Sequence, residues 1–295
     1  MVREMRVLVV LGGSRQGVVF RVVLAAAVAI SALAAQAQQA DPAKEQITVK
    51  QTPTPSGEEG DKRARGLLAQ MVTALGGDAW LSRKDWLVEG RTATFFKNEP
   101  TGVQPFWNYH RVLDAKGNGE DRLEFTKKRD VIQIWNATNG YELTYKGKKE
   151  LPKDIEEDYF RRLQHSIEKV VLVWLKDPQT IVVDGGTSMV QRRAADKVTV
   201  IDSTNDSVTL ELDANTHLPL WRTFEWRNAT YKDRDEDVEE YSDYHDVQGL
   251  PTPYTITRYH NGDMVSQRFI TKRQYNISPP ATLFDLDQPY NAKHK

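Results

Sequence analysis

The strongest constraint on the fold is a change in hydrophobic period at Trp86. From there to Ile277, apolar and polar side chains alternate in about thirteen short segments, as in β-strands with one buried face. Turn sequences such as those at 116–119, 138–140 and 184–186 separate the segments, and no crossover helix follows each strand. Because a flat open sheet of this width twists or splits, the sequence predicts one strongly curved antiparallel sheet.

Two helices are predicted beside the sheet. The first begins near Asp61 and ends at Gly76, and a turn follows at 78–82. The second runs from Pro152 to the stop at Pro178, and its apolar residues form a face about six turns long: Ile155, Tyr159, Leu163, Ile167, Val170, Val171 and Trp174. Since this apolar face must be buried, we expect the second helix to close the open side of the curved sheet.

Residues 1–37 have the features of a secretory signal peptide. Four arginines precede the apolar run at 22–35, which ends in the small residues that a signal peptidase requires. We expect cleavage after Ala37, so that the mature protein begins at Gln38, and an uncleaved helical anchor is the alternative. The prolines and polar residues of 38–60 predict a flexible linker, and 61–295 are expected to form one folded domain.

The composition limits the location and the partners. The chain contains no cysteine, which excludes a disulfide-linked scaffold and a lipoprotein with an acylated cysteine. We therefore expect a periplasmic protein that is not stably inserted in the membrane after cleavage of the signal peptide. Without residues 1–37 the net charge is about −4, which gives no electrostatic reason to expect nucleic acid or an anionic membrane as a partner.

Three segments, at 74–91, 196–226 and 241–289, resemble the outer-membrane lipoprotein-sorting superfamily, the LolA/LolB-like proteins. The resemblance implies an α+β fold that is mainly β: a half-open β-barrel of one curved antiparallel sheet, covered by two or three helices. It also implies a concave face that holds acyl chains or another apolar ligand. Two features depart from the family pattern, namely His217 in a turn that usually carries glycine and the lack of the N-terminal cysteine of a LolB-type receptor.

Reactive side chains cluster between 238 and 270 without the pattern of a catalytic or metal site. Along a strand, Asp243 and His245 lie on one face, and their neighbours Tyr244 and Asp246 lie on the other. The acidic residues at 233–239 lack the glycine of a calcium loop, and no nucleophile-elbow, zinc or phosphate-loop motif occurs. We therefore predict no catalytic residue, metal or cofactor, and interpret the cluster as sheet surface.

Aromatic residues supply the positive signal for a ligand site. Five tryptophans lie in predicted strands and one lies on the second helix, which fits either a ligand cavity lined by rings or a thick filled core. Arg222 is predicted to share an apolar strand face with Leu220, Phe224 and Trp226, where its guanidinium needs a carboxylate or a polar head group. The predicted ligand-binding residues are Trp107, Trp135, Trp174, Leu220, Arg222, Phe224 and Trp226.

The sequence thus favours a periplasmic, non-enzymatic binding or carrier protein for an apolar ligand, with a lipid or an acylated protein as its partner. Two alternatives stay open. One is an envelope accessory protein that binds another protein through its sheet, and the other is a secreted hydrolase. An empty apolar cavity would favour a carrier, a filled core with an exposed edge would favour protein binding, and a polar cleft with paired acid and base groups would favour a hydrolase.

Overall fold

The computed structural model describes residues 57–228 and 230–287. The predicted signal peptide, its cleavage site and most of the predicted linker lie outside these residues. The first helix begins at Glu58 rather than at Asp61, so its first turn falls within the predicted linker. Among the described residues, no helix has the length and the apolar content needed to cross a membrane.

All strands belong to one curved, unclosed antiparallel sheet, which confirms the predicted fold class. The sheet consists of two meanders that meet where the first strand pairs with the last, and β6 and β7 form its two edges. The strands are β1 (Asp85–Phe96), β2 (Glu99–Val112), β3 (Gly119–Phe125), β4 (Val131–Trp135), β5 (Gly140–Thr144), β6 (Gly147–Glu150), β7 (Ile181–Val190), β8 (Arg193–Ile201), β9 (Ser207–Asp213), β10 (Pro219–Arg227), β11 (Arg234–Val247), β12 (Leu250–His260) and β13 (Asp263–Tyr275).

The number of strands agrees with the prediction because two errors cancel. Strand β6 was not predicted, since its four residues are all exposed and carry no apolar alternation. Strand β7 was predicted as two strands with a turn at 184–186, but it is continuous. Its glycines form a bulge, where the register shifts between Asp184 and Thr187 and Gly186 adopts a φ of 74°.

In the described part of the chain, four α-helices accompany the sheet: α1 (Glu58–Leu75), α2 (Asp78–Leu81), α3 (Lys153–Gln164) and α4 (Ile167–Leu172). Helix α1 ends, as predicted, at Gly76, whose φ of 119° is accessible to glycine. Helix α2 occupies the segment predicted as a turn.

The second predicted helix is interrupted, so its apolar face is not continuous for six turns. Helix α3 ends at Gln164, and a new helix begins because Ser166 adopts an extended conformation and accepts a hydrogen bond from the Lys169 amide at 3.2 Å. A short 3₁₀ turn, Trp174–Lys176, completes the segment.

The two ends of the sheet differ in what covers their concave face. Helix α1 packs on β7–β10 and buries an apolar core with them, which we call the filled half; its buried residues include Leu67, Leu68, Met71, Val198, Leu210 and Leu212. Arg63 fixes the helix in place with hydrogen bonds to Asp184 and Asp196, both at 2.6 Å. Helix α3 and one face of α4 lie over β1–β4 and β12–β13, which we call the open half, because a cavity separates them there. The other face of α4 packs Ile167 and Val170 into the core of the filled half.

Candidate functional site

A cavity of about 440 Å³ lies in the open half between the concave face of the sheet and helices α2, α3 and α4. Its position agrees with the predicted placement of a helical segment over the open side of the barrel. Much of its wall is apolar, with side chains from five strands: Val88, Phe106, Leu123, Phe125, Ile256 and Ile270. Its volume lies in the range of about 300 to 1,000 Å³ that is typical of small-molecule sites.

Two of the seven predicted site residues, Trp135 and Arg222, line this cavity. Trp135 is buried and stacks on Tyr159 of α3, with 4.0 Å between the ring centroids. This contact joins helix α3 to strand β4 at one end of the cavity. Trp135 therefore shapes the wall as well as offering an apolar surface.

Three other predicted site residues belong to the filled half or to its border. Phe224 is 1% exposed and stacks on His165, with 4.4 Å between the ring centroids. Trp174 is also buried in that core. Trp226 lies beside Phe224, and the guanidinium of Arg161 covers its ring at 4.5 Å.

The remaining two, Trp107 and Leu220, lie away from the cavity. Trp107 is on the outer face, since its neighbours in β2 point inward, and the guanidinium of Arg129 covers its ring at 4.0 Å. Leu220 packs with Val190 and Ala195 in a separate cluster. A register shift between Pro219 and Trp221 breaks the alternation there, so the expectation that Leu220 shares a face with Arg222 is wrong.

Arg222 has protein partners for its charge. Its side chain is 1% exposed, and Nη2 lies 3.3 Å from Glu239 Oε2 and 3.8 Å from Asp237 Oδ1. Nη1 donates to the carbonyl oxygens of His165 at 2.9 Å and Arg162 at 3.2 Å, which the interruption between α3 and α4 leaves available. Arg222 thus ties the helical segment to the sheet.

Charge pairing also determines the ionisation of Glu239. Burial by itself would raise the pKa of this carboxyl, but the positive charges of Arg222 and Arg162 outweigh burial and lower the pKa to about 2. Asp237 behaves in the opposite way, since burial raises its pKa despite the hydrogen bond from Arg258. Glu239 is therefore the main counter-ion of Arg222.

Polar side chains also form part of the cavity wall. Asp121 lies 3.1 Å from Nδ1 of His110 and accepts a hydrogen bond from the hydroxyl of Tyr159 at 2.5 Å. Trp86 stacks on the imidazole of His110, with 3.9 Å between the ring centroids. Nε2 of His110 faces Gly119, and a Cβ added to Gly119 would lie 2.7 Å from this nitrogen. Both edges of the imidazole are therefore engaged with the protein, which suits a structural link better than proton transfer to a ligand.

The acidic and histidine-rich segment at 238–270 lies on β11–β13. Asp243 and His245 are both more than half exposed and lie 3.0 Å apart on the surface. Within residues 57–228 and 230–287, no group of three or more histidine, aspartate and glutamate side chains could hold a metal ion.

The prediction missed most of the cavity wall. Ile256 and Ile270 carried the alternation of a half-buried strand, so their inward direction was a usable signal. Phe106 lay next to Trp107, and only the register of β2 distinguishes the inward ring from the outward one. Arg268 and Arg273, which also line the cavity, resemble surface charges in the sequence.

No known protein-family model matches the chain, and no curated protein matches it by sequence. Among solved structures, a DUF1329 family protein from Desulfovibrio piger is similar, with a TM-score of 0.53 and 10% identity over 77% of this chain and 97% of that one. A putative outer membrane lipoprotein-sorting protein domain from Vibrio parahaemolyticus gives a TM-score of 0.49 and 11% identity, over 77% and 97% of the two chains.

A LolA superfamily protein from Nitrosomonas europaea gives a TM-score of 0.47 and 11% identity, over 75% of this chain and 96% of that one. At such identities the similarity concerns the fold, not the activity. The DUF1329 family protein therefore shares the fold of this chain.

Proposed function

We propose that this chain is a non-enzymatic binding or carrier protein that holds an apolar, acyl-containing ligand in the cavity of its open half. The observation that carries the proposal is the cavity itself, about 440 Å³ in volume and walled by Val88, Phe106, Ile256 and Ile270 between sheet and helices. An apolar cavity kept open within a folded chain forgoes packing energy, which binding an apolar ligand restores.

The size and the cover of the cavity favour a small ligand over a protein segment. The volume suits one acyl chain or a molecule of similar bulk. Helix α3 covers the site with mostly polar attachments, such as the ion pair between Arg258 and Asp158 at 2.6 Å. Glu156 is the only residue of α3 that is fully buried, and Tyr159 and Phe160 add ring contacts with Trp135. Opening α3 therefore costs less apolar burial than removing α1 would, and the helix is suited to admit a ligand.

The proposed location is the periplasm. It rests on the signal peptide predicted at 1–37, which lies outside the described residues. Sequencing of the mature N-terminus tests it: we expect Gln38, and a protein that retains Met1 would contradict export with cleavage.

Protein binding through a sheet edge is a second candidate function. Edge strand β7 exposes Ile181, Val183 and Met189, which are 58%, 43% and 49% exposed. Unpaired edge strands can pair with an added strand. This surface is separate from the cavity, so the two functions can be tested independently.

A titration with an uncharged acyl probe tests the proposed function. The methyl ester of cis-parinaric acid, excited directly, should bind the purified protein saturably and with one probe per chain. Leu123→Trp places an indole in the cavity and should weaken binding at least about tenfold, which corresponds to roughly 1.4 kcal/mol. The matched control is Leu113→Trp, at a residue that is 51% exposed and lies outside the cavity wall.

Equal affinity of both variants for the ester would show that the probe binds elsewhere. No saturable binding by the unmutated protein would contradict the proposed function.

A further inference from the structure

Five arginines line the cavity, and three of them have an acidic partner. Arg83 lies 3.3 Å from Glu168, and Arg222 lies 3.3 Å from Glu239. Arg162 lies 3.1 Å from Asp158. These charges are compensated within the protein.

Arg268 and Arg273 differ from those three. Within residues 57–228 and 230–287, neither has a carboxylate at ion-pairing distance, although both line the cavity. Burial lowers the pKa of both guanidinium groups, and Arg162 beside Arg268 lowers the pKa of Arg268 further. A guanidinium in an apolar surrounding is costly unless an anion accompanies it.

The nearby acidic groups cannot supply that anion, because they are already engaged. Glu239 pairs with Arg222, and Asp121 is held by His110 and Tyr159. Glu239 and Asp121 still attract Arg268 electrostatically, but neither forms a direct ion pair with its guanidinium, so that contact is left for an anion from outside the protein.

A bulge in β13 places both arginines on the concave face. Arg268 and Ile270 point inward by simple alternation, and a register shift opposite Glu89 and Gly90 then returns Arg273 to the same face. Gly90 permits the shift, since a Cβ there would lie 2.2 Å from the carbonyl oxygen of Phe269. The backbone is thus shaped to direct two positive charges into the cavity.

The two arginines lie apart along β13 and differ in how far the protein already compensates their charge. Four strand steps separate their Cα atoms, which corresponds to about 13 Å. Arg273 is partly compensated by the rings of Trp86 and Tyr275, at 5.4 Å and 5.0 Å from its guanidinium carbon. Arg268 faces one ring, that of Phe106 at 5.5 Å, and has a second arginine beside it. The stronger anion site is therefore at Arg268.

We propose that the ligand of this cavity is an anionic amphiphile whose carboxylate or phosphate head group binds Arg268, while its chain lies against Phe106, Ile256 and Ile270. This inference rests on the proposed function and specifies the ligand class of the same site. The planar guanidinium can donate two parallel hydrogen bonds to either head group, and inside a cavity water does not screen that interaction.

The test compares cis-parinaric acid with its uncharged methyl ester. We expect the unmutated protein to bind the acid at least about tenfold more tightly than the ester, the effect of one charge-assisted hydrogen-bonded pair. Arg268→Gln should reduce the affinity for the acid to that for the ester and leave the ester unchanged. Arg268→Lys should keep most of the preference, because it keeps the charge.

The matched control is Arg91→Gln, an exposed arginine on the outer face of the neighbouring strand β1, which should not alter either affinity. Competition for the acid probe then distinguishes the two head groups. If lysophosphatidic acid displaces the probe at a lower concentration than palmitate does, the site prefers phosphate. If palmitate is the more effective competitor, the site prefers carboxylate. Displacement by inorganic phosphate as effective as by either lipid would overturn the amphiphile assignment.

The outcomes separate the two proposals. If neither acid nor ester binds, the proposed function fails. If both bind equally and Arg268→Gln changes neither, the cavity binds an apolar ligand but the anionic head-group assignment is wrong. Thermal unfolding of each variant verifies that the substitution leaves the protein folded.

Discussion

The filled half and the open half belong to the same sheet but use opposite means to cover it. In the filled half, Val198, Leu210 and Leu212 have no exposed surface, and α1 buries six of its residues against the sheet. In the open half, α3 buries only Glu156, whose carboxylate accepts a hydrogen bond from the Gly140 amide at 2.8 Å. Apolar packing therefore stabilises one half, whereas polar links hold a cover over a cavity in the other.

The largest contrast should come from placing a charge in each half. Leu210→Asp puts an unpaired carboxylate in a site with no exposed surface and should destabilise the protein by more than about 4 kcal/mol. Leu163→Asp, on the face of α3 that lines the cavity, should cost less than half as much. Urea unfolding of both variants provides the comparison, and equal losses would show that the open half is as tightly packed as the filled half.

A second contrast compares Arg222, which is paired in the cavity wall, with an arginine on the outer face. Arg222→Gln leaves Glu239 without its main counter-ion, while Asp237 keeps Arg258, and should lower the free energy of unfolding by about 3 kcal/mol. Arg91→Gln, on the outer face, should change it by less than about 0.5 kcal/mol. An equally small loss of stability in Arg222→Gln would mean that the link between helices and sheet contributes little to the free energy of unfolding.

Low pH should weaken the ion pair between Arg222 and Glu239. The folded-state pKa of Glu239 is about 2, below its ordinary value of 4.5, so its contribution is complete above pH 4.5 and is lost as pH falls toward 2. The contribution is at most about 3 kcal/mol, since one pKa unit corresponds to about 1.4 kcal/mol. Denaturant unfolding between pH 5 and 2.5 should show a flatter acid limb for Glu239→Gln, and superimposable pH profiles would contradict this pairing.

The smallest expected effect is a gain in stability rather than a loss. Arg268→Gln removes a positive charge without a carboxylate partner, so it should stabilise the ligand-free protein by about 1 kcal/mol. For a chain of this size that corresponds to a rise of roughly 2 to 4 °C in Tm. Calorimetry of delipidated protein measures it, and a Tm lowered by several degrees would show that Arg268 has a stabilising partner in the fold.

The fold was largely predictable because it depends on local patterns. Alternation in β8 and β9 and the turn sequences between strands specify an antiparallel meander without knowledge of distant contacts. The glycines at 76–77 marked the end of α1 for the same reason. The interruption of the second helix also had a local signal, since Ser166 precedes a helical turn that its side chain caps.

The site was less predictable because bulges reverse which face a side chain occupies. The bulge at Leu220 moved this predicted site residue out of the expected cluster. The bulge between Ile270 and Lys272 brought Arg273 into the cavity. A bulge has no strong sequence signature, and its effect extends to every later residue of the strand. The tryptophans likewise indicated a large apolar interior, but they could not show which half of it was left open.

The most direct test of the account is mass spectrometry of lipids extracted from protein purified from its native cell envelope. The unmutated protein and Leu113→Trp should each carry close to one equivalent of a single-chain lipid with a carboxylate or phosphate head group. Leu123→Trp, which places an indole in the cavity, should carry much less. The same lipid content in all three proteins, or no lipid in the unmutated one, would contradict the assignment of the open half as a ligand site.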